Sequence, residues 1–276
     1  MFRRSAIVLA GACLLASAQM RDNTDKQLDC KGNRGNRQAR SCEVREQSMA
    51  SAPSLSIDSG TNGGIQVKGW SKPEILVRAR VEAWAAGEAR AKSIAGQVKV
   101  VAQSGRVSAK GPSNLNREGW SVSFEIFAPH RTGVTAKAHN GGLTLSDLHG
   151  ALDASTVNGG LHFSRLAGKV QGTTRNGGVG VVLSGDRWEG DSLDVRTTNG
   201  GVDVEMPGGY GAQLEAGTVN GGLHIGFPVN VTGRIDRRVS TKIGAGGPPL
   251  RFHTTNGGVQ IHKPGEKPST RRVRPA

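Results

Sequence analysis

The tripeptide Asn-Gly-Gly occurs seven times in this 276-residue chain, and it limits the possible folds more than any other feature. Glycine enters positive-φ backbone freely and asparagine tolerates it, so the tripeptide predicts a tight corner. Successive asparagines are 78, 18, 18, 23, 21 and 36 residues apart, which indicates a repeat protein with short units. The corner residues are Asn62, Asn140, Asn158, Asn176, Asn199, Asn220 and Asn256.

Apolar residues flank every corner with a period of two. Such residues point to one face of a strand, as do Leu152, Ala154 and Thr156 before the third corner. Each unit is therefore predicted to be a strand, a corner, a second strand and a looser turn. Threonine stands two residues before the asparagine in five units, at Thr156, Thr174, Thr197, Thr218 and Thr254. The apolar pairs after the corners are Ile65 and Val67, Leu143 and Leu145, Leu161 and Phe163, Val179 and Val181, Val202 and Val204, Leu223 and Ile225, and Val259 and Ile261.

One unit is too short to enclose its own apolar row, so neighbouring units must cover each other. The sequence thus predicts an all-β, β-solenoid-like stack of short strands over residues 54–263, with Asn-Gly-Gly corners. The alternative is a series of hairpins in a twisted antiparallel sandwich, because Asn-Gly also favours hairpin turns. The constant 18-residue spacing in the middle of the chain favours stacked coils, with the 36-residue spacing equal to about two periods.

The segments around the repeat have their own patterns. Alternation predicts strands at 74–84, 98–109 and 121–127, and composition predicts one short helix near 87–96. Residues 19–53 are polar and lack alternation, which predicts an arm, whereas residues 264–276 form a basic, proline-containing tail predicted to be disordered.

The first 18 residues are typical of a secretory signal peptide. Arg3 and Arg4 precede an apolar run at 6–16, and the small-x-small sequence 16–18 follows it. Lipidation at Cys13 is less favoured, because Ala10 stands where leucine is usual. No later stretch is apolar enough to predict a transmembrane helix. The expected location is the periplasm, the cell surface or the medium.

Two cysteines remain after removal of this signal. Cys30 and Cys42 are twelve residues apart in an exported chain, which predicts a disulfide bond. A reactive or metal-binding pair is the alternative, but no Cys-x-x-Cys spacing or nearby histidine supports it.

The chain is basic, with a net charge of +14 that becomes +12 when Arg3 and Arg4 are removed with the signal. Export and a 4% aromatic content argue against nucleic acid as the partner. Anionic envelope material or a glycan is the expected partner, and another envelope protein is the alternative. The charge could also serve solubility alone.

No motif predicts catalysis, a cofactor or a metal. There is no nucleophile elbow, P-loop or zinc-protease motif, and the glycine-rich segment 208–211 precedes no helical pattern. A carbohydrate-active enzyme would need paired carboxylates, for which the sequence offers no pairing. The carboxylates considered for that role or for calcium are Asp147, Asp153, Asp194, Asp203, Glu205 and Glu215.

Three further residue sets allow a functional and a simpler interpretation. His162 and His224 share one repeat position and are expected to face solvent rather than to bind zinc. The threonine row could form an ice-binding face, but threonine also suits strands and can satisfy corner backbone. The four tryptophans could stack on sugars, although scattered tryptophans more often cover a core: Trp70, Trp84, Trp120 and Trp188.

The repeated unit Thr-x-Asn-Gly-Gly-apolar-x-apolar resembles that of the bacterial putative-adhesin family, an exported domain of unknown function. The resemblance covers roughly 55–262, and the segment 42–46 together with Asn62-Gly63-Gly64 and Gly69-Trp70 is similar to members with a cystine arm. It implies a β-solenoid character, an envelope location and a non-catalytic binding or structural role. An envelope-stress or assembly component that binds another protein is the alternative function.

Overall fold

The computed structural model describes residues 28–30, 38–115, 117–228 and 237–266. In these residues the chain forms two large mixed β-sheets and one short helix, α1 (Glu88–Gln97). The strands are β1 (Ala39–Ala50), β2 (Ser54–Asp58), β3 (Ile65–Trp70), β4 (Glu74–Ala85), β5 (Lys99–Gln103), β6 (Arg106–Lys110), β7 (Gly119–Pro129), β8 (Gly133–Asn140), β9 (Leu143–Ser146), β10 (His149–Asn158), β11 (Leu161–Ser164), β12 (Ala167–Asn176), β13 (Val179–Val182), β14 (Ser192–Asn199), β15 (Val202–Glu205), β16 (Ala212–Asn220), β17 (Leu223–Ile225), β18 (Arg238–Ile243), β19 (Pro249–Asn256) and β20 (Val259–His262).

Each sheet contains ten strands. The first sheet has the order β1-β4-β7-β3-β9-β11-β13-β15-β20-β17, and the second has the order β18-β16-β19-β14-β12-β10-β8-β2-β6-β5. Every Asn-Gly-Gly corner carries the chain from a strand of the second sheet to a strand of the first. The two strands of one unit therefore lie in different sheets, and the hairpin alternative, in which they would pair with each other, is wrong.

Neighbouring units pair in parallel and in register. β10 pairs with β8 and β12, so that Asn158 lies opposite Asn140 on one side and Asn176 on the other. The strands after the corners keep the same register, with Leu161 opposite Leu143 and Val179. This register follows from the repeat, because a shift by one residue would turn every apolar side chain outwards.

The units do not stack in chain order throughout, so the chain is not a regular solenoid. The last unit, β19 with β20, lies between the β14–β15 unit and the β16–β17 unit. At the other end, β6 and β7 lie outside β2 and β3. Interpreting the 36-residue spacing as two periods is wrong, since β18 in this interval pairs antiparallel with β16 and the chain then re-enters the stack.

The core lies between the two sheets and consists of the period-two apolar rows. Val202 and Val204 are at most 1% exposed, whereas Asp203 between them points to solvent. Phe163 and Phe252 are also buried in this layer. Helix α1 packs on the same core through Ala91, Ile94 and Ala95. The predicted helix and the strand predicted at 74–84 are confirmed within one or two residues.

Two of the predicted segment boundaries are wrong. The polar segment 19–53 contains β1, whose twelve residues pair antiparallel with the long strand β4, because an edge strand can keep polar residues on its solvent side. The single strand predicted at 98–109 is a hairpin, β5 and β6, since Ser104 and Gly105 both have positive φ.

The structure joins Cys30 to Cys42 by a disulfide, which fastens residues 28–30 to β1. The predicted signal peptide, 1–18, and most of the predicted tail, 267–276, lie outside the described residues. Across the part of the chain that is described, no helix has the length and apolar character needed to cross a membrane.

Candidate functional site

The seven corner asparagines form one continuous hydrogen-bonded row along the stack, here called the corner ladder. Each asparagine except Asn62 donates from Nδ2 to the Oδ1 of its neighbour, over distances of 2.7–3.0 Å. Asn176 both donates to Asn158 and accepts from Asn199. The ladder follows the spatial order of the units, so Asn256 stands between Asn199 and Asn220.

The corner ladder gives the Asn-Gly-Gly motif a different role from the predicted turn. None of the corner asparagines is among the described residues with positive φ, so the expected left-handed conformation is wrong for them. The first glycine is required by close approach: a Cβ on Gly159 would lie 2.1 Å from the carbonyl oxygen of Gly141. The motif is thus a stacking device, in which glycine lets the backbones approach and asparagine links them.

The repeat threonines point into the protein. Thr174 is 5% exposed, and its hydroxyl donates to the carbonyl of Gly159 in the neighbouring corner at 2.7 Å. Thr156, Thr197, Thr218 and Thr254 make the same bond in their units. These hydroxyls satisfy corner backbone, as the simpler interpretation held, and do not form an exposed ice-binding row.

A groove of about 420 Å³ crosses the outer face of the second sheet near its β18 end. Its floor follows one cross-strand row, in which Thr173, Arg196, His253, Gly217 and Arg238 are successive Cα partners on five adjacent strands. The residues lining the groove include no aspartate or glutamate: Thr173, Thr174, Arg196, Thr197, Thr198, Gly217, Thr218, Val219, Arg238, His253, Thr254 and Thr255.

The electrostatics of this groove are positive. Arg196 makes two hydrogen bonds of 2.9 Å with Asp194, which lies beside the groove and holds the guanidinium in place. Arg238 is exposed and forms no ion pair among the described residues. Burial, together with the charge of Arg196, lowers the pKa of the His253 imidazole, against the opposing effect of Asp194.

The opposite face of the molecule is chemically different. His162 and His224 are exposed there, as predicted, in the row that also contains Gly180, Asp203 and Gln260. His262, in the next row, is 7% exposed and lies 3.3 Å from Asp203 through its Nε2. Nowhere in the described chain do three His, Cys, Asp or Glu side chains gather in a way that could hold a metal.

The candidate carboxylates are spread over both sheets. Asp153, Asp194 and Glu215 lie in one row of the second sheet, but Gln171 and Arg251 separate them. Asp194 is paired with Arg196 and Glu215 with Arg251, while Asp147 accepts two hydrogen bonds from Arg165. Asp203 and Glu205 lie in the first sheet. They stand two residues apart on the outer face of β15, and both carboxylates act on the neighbouring His262.

Two of the four tryptophans are buried, whereas Trp84 and Trp120 are partly exposed. Trp70 and Trp188 are 2% and 4% exposed, so their rings are not open to a sugar. Trp70 packs on Phe127 with ring centroids 5.3 Å apart. Beside them, the buried Lys68 donates to the buried Glu125 at 2.9 Å. The glycine-rich segment at 208–211 is a turn that leads into β16, not into a helix.

None of the five residues in the row, Thr173, Arg196, His253, Gly217 and Arg238, was identified from the sequence. His253 and Gly217 each stand immediately before the repeat threonine, in the position that Thr173 and Arg196 hold in their units. Aligning the units on that threonine would have identified four of the five residues in the row. Arg238 could not be found in this way, because β18 carries no repeat motif.

No protein-family model and no curated protein sequence matches this chain. Among solved structures, it is similar to a putative cell adhesion protein from Clostridium sporogenes, with 11% identity and a TM-score of 0.44 over 79% of this chain and 99% of the other. A putative adhesin from Bacteroides fragilis has 12% identity and a TM-score of 0.34, covering 80% of this chain and 97% of the other. A putative lipid binding protein from Parabacteroides distasonis has 9% identity and a TM-score of 0.38, also covering 80% and 97%.

These similarities are too distant to support a functional inference. Membership of the putative-adhesin family therefore stays a prediction from the repeat.

Proposed function

We propose that this chain is a non-catalytic, exported surface-binding module that attaches to anionic envelope material through the groove on its second sheet. One observation carries the proposal: a groove of about 420 Å³ whose lining contains Arg196, Arg238 and His253 but no carboxylate. Threonine hydroxyls at Thr198 and Thr255 add uncharged hydrogen-bonding groups. Such a lining attracts phosphate, carboxylate or sulfate groups and repels none of them.

The charge of the whole chain supports the same partner. The net charge of +14, which becomes +12 when Arg3 and Arg4 are removed with the signal, raises the local concentration of any polyanion and speeds its association, whichever group finally occupies the groove. Each arginine near an anionic surface contributes about 1 kcal/mol, and this attraction weakens as salt screens it. Binding through the groove is therefore expected to be moderate and strongly dependent on salt.

Export supports contact with envelope material. The basic and apolar segments within 1–18 fit a signal peptide, and the Cys30–Cys42 disulfide suits an oxidising compartment. We place the mature chain in the periplasm or at the cell surface, beginning near Gln19.

The scaffold of this module is proposed to be a β-solenoid-like stack over residues 133–262, with its last two units exchanged. The support is the parallel pairing and the corner ladder that continue through every unit. A stack of this kind presents parallel outward rows about 4.8 Å apart, a flat and rigid surface for repeated contacts.

Co-sedimentation of the mature protein with lipid vesicles would test the proposal. Vesicles containing phosphatidylglycerol should pellet the protein, those of phosphatidylcholine alone should not, and the bound fraction should fall steadily from about 50 to about 500 mM salt. Peptidoglycan and outer-membrane vesicles extend the assay to native envelope material. The charge reversal Arg196→Glu with Arg238→Glu should weaken binding at least about tenfold.

The matched control reverses two exposed lysines elsewhere, Lys72→Glu with Lys92→Glu, so the net charge changes equally. Equal losses in the two double variants would mean that net charge alone drives the interaction and would refute a binding groove. Absence of binding to every anionic surface would refute the proposed function and favour the alternative, a specific protein partner in envelope assembly or stress response.

A further inference from the structure

The groove contains a notch that one missing side chain creates. In the row Arg196, His253, Gly217 and Arg238, only Gly217 has no side chain, and it lies on the strand between His253 and Arg238. The nearest atoms to the position that a Cβ on Gly217 would occupy are the carbonyl oxygen of Arg237 at 3.4 Å and His253 Nδ1 and Arg238 Cγ at 3.5 Å. Gly217 lines the groove together with His253 and Arg238, so the space above it opens into the groove, and the two flanking strands, roughly 9.5 Å apart, leave width for one small anion.

The charges around this notch come from four strands. Arg196 and Asp194 face His253 from β14, Glu215 from β16 and Arg238 from β18, while Arg251 lies on the same strand as His253. The two carboxylates are already bonded, Asp194 to Arg196 and Glu215 to Arg251. Neither carboxylate is bonded to Arg238 or to the imidazole, which both border the notch, with Arg196 on the far side of His253.

Donor number and polarity identify the chemistry of the ligand. A phosphate monoester carries a charge of about −1.5 to −2 near pH 7 and has three acceptor oxygens, enough for the imidazole and two guanidinium groups. A phosphodiester in a lipid or polymer backbone has one terminal oxygen fewer. The lowered pKa of His253 fits this role, because an anion in the notch would favour the protonated imidazole that the neighbouring arginine disfavours.

We propose that the notch over Gly217 is a binding site for a phosphate monoester group, held by His253, Arg238 and Arg196; this inference rests on the surface-binding function proposed above. The group can reach the notch on a lipid headgroup or on a soluble molecule. His253 is the specificity-determining residue, since it alone can change its charge to match the ligand.

Titration of inorganic phosphate into the mature ¹⁵N-labelled protein, followed by NMR, tests the site directly. Saturable shifts are expected at Arg196, Gly217, Arg238 and His253, and the measured pKa of His253 should rise when phosphate is present. The exposed His162 and His224, on the opposite sheet, provide internal controls whose pKa should stay constant. Shifts that spread evenly over exposed lysines and arginines, or an unchanged His253 pKa, would overturn the proposal.

Two glycine variants separate the notch from general charge. Gly217→Asp places a carboxylate between His253 and Arg238 and should lower phosphate affinity about tenfold or more. Gly180→Asp adds the same charge beside His162 on the opposite sheet and should leave the affinity unchanged. Should Gly217→Asp fail to fold, His253→Gln provides the second test, with an expected loss of roughly three- to tenfold.

Vesicles distinguish the source of the phosphate group. If the group is carried by a lipid, the protein should bind vesicles of phosphatidic acid more tightly than vesicles of phosphatidylglycerol at equal surface charge. Gly217→Asp should then remove this preference. Phosphate binding at the notch without this preference assigns a soluble phosphate ester. Salt-sensitive binding to both vesicles with no phosphate effect at Gly217 would refute the notch while leaving the proposed function intact.

Discussion

The corner ladder predicts that an interior asparagine stabilises the fold about twice as much as a terminal one. Asn176→Ala removes two ladder bonds, one to Asn158 and one from Asn199, whereas Asn220→Ala removes only the bond to Asn256. Alanine fits the corner backbone, because neither asparagine has positive φ. An exposed hydrogen bond of this kind contributes about 0.5–1 kcal/mol, so we expect losses of about 1–2 kcal/mol for Asn176→Ala and about 0.5–1 kcal/mol for Asn220→Ala.

Guanidinium unfolding, followed by circular dichroism and by the buried Trp188, measures these free energies. The free energies can be compared only if the slope of the unfolding free energy against denaturant concentration is the same in all variants, because a changed slope would mean that unfolding of the repeats is no longer cooperative. Asn176→Asp keeps the shape and still accepts from Asn199, but turns a carboxylate oxygen towards the Oδ1 of Asn158. It should therefore cost at least as much as Asn176→Ala. Equal losses at the interior and terminal positions, or losses within roughly 0.3 kcal/mol of zero, would refute an energetic role for the ladder.

Three further pairs of substitutions have expected outcomes that equilibrium unfolding can measure. Thr174→Val should cost about 1–2 kcal/mol because the Gly159 carbonyl loses its hydroxyl donor, whereas Thr174→Ser, which keeps the hydroxyl, should cost less; the reverse order would contradict the bond. Gly159→Ala should destabilise the fold by about 4 kcal/mol or more, because the added Cβ would meet the Gly141 carbonyl oxygen. Gly96→Ala should instead stabilise it by about 0.5–1 kcal/mol, because a Cβ on this residue of helix α1 would meet no other atom. Lys68→Met should cost about 3–5 kcal/mol, because Glu125 would stay buried without its closest cation. Adding Glu125→Gln to this variant should recover part of the lost stability. If it recovers none, packing rather than charge is responsible for the loss.

The sequence predicts which residues lie opposite each other on neighbouring strands better than it predicts the spatial order of the units. The period-two rows fix which residues are buried, because turning Val202 and Val204 outwards would also turn Asp203 into the core. Every unit carries the same apolar row and the same asparagine, and five of the seven carry the same threonine, so these units can follow one another in any order with the ladder intact. The exchange of the last two units cannot be seen in the motif for this reason, and it is the pairing of β19 with both β14 and β16 that reveals it.

The strand β1 was missed for a different physical reason. Its residues alternate poorly, and its stability comes from twelve antiparallel partners on β4 rather than from an apolar face. Tertiary pairing of this kind overrides a weak local preference. The Cys30–Cys42 bond, by contrast, needed only the compartment and the spacing of two cysteines to be predicted.

The groove lies at variable positions of the repeat unit, whereas the corners are built from constant positions. Asparagine, glycine and threonine at the corners bond or contact the neighbouring corner, so substitutions there should change stability. The outward position before each repeat threonine makes none of these corner bonds and varies from Thr173 to Arg196, His253 and Gly217. Changes at those positions should alter binding with little effect on unfolding. Because the exchange of the last two units places His253 rather than Gly217 beside Arg196, the order of the stack itself determines which charges surround the notch.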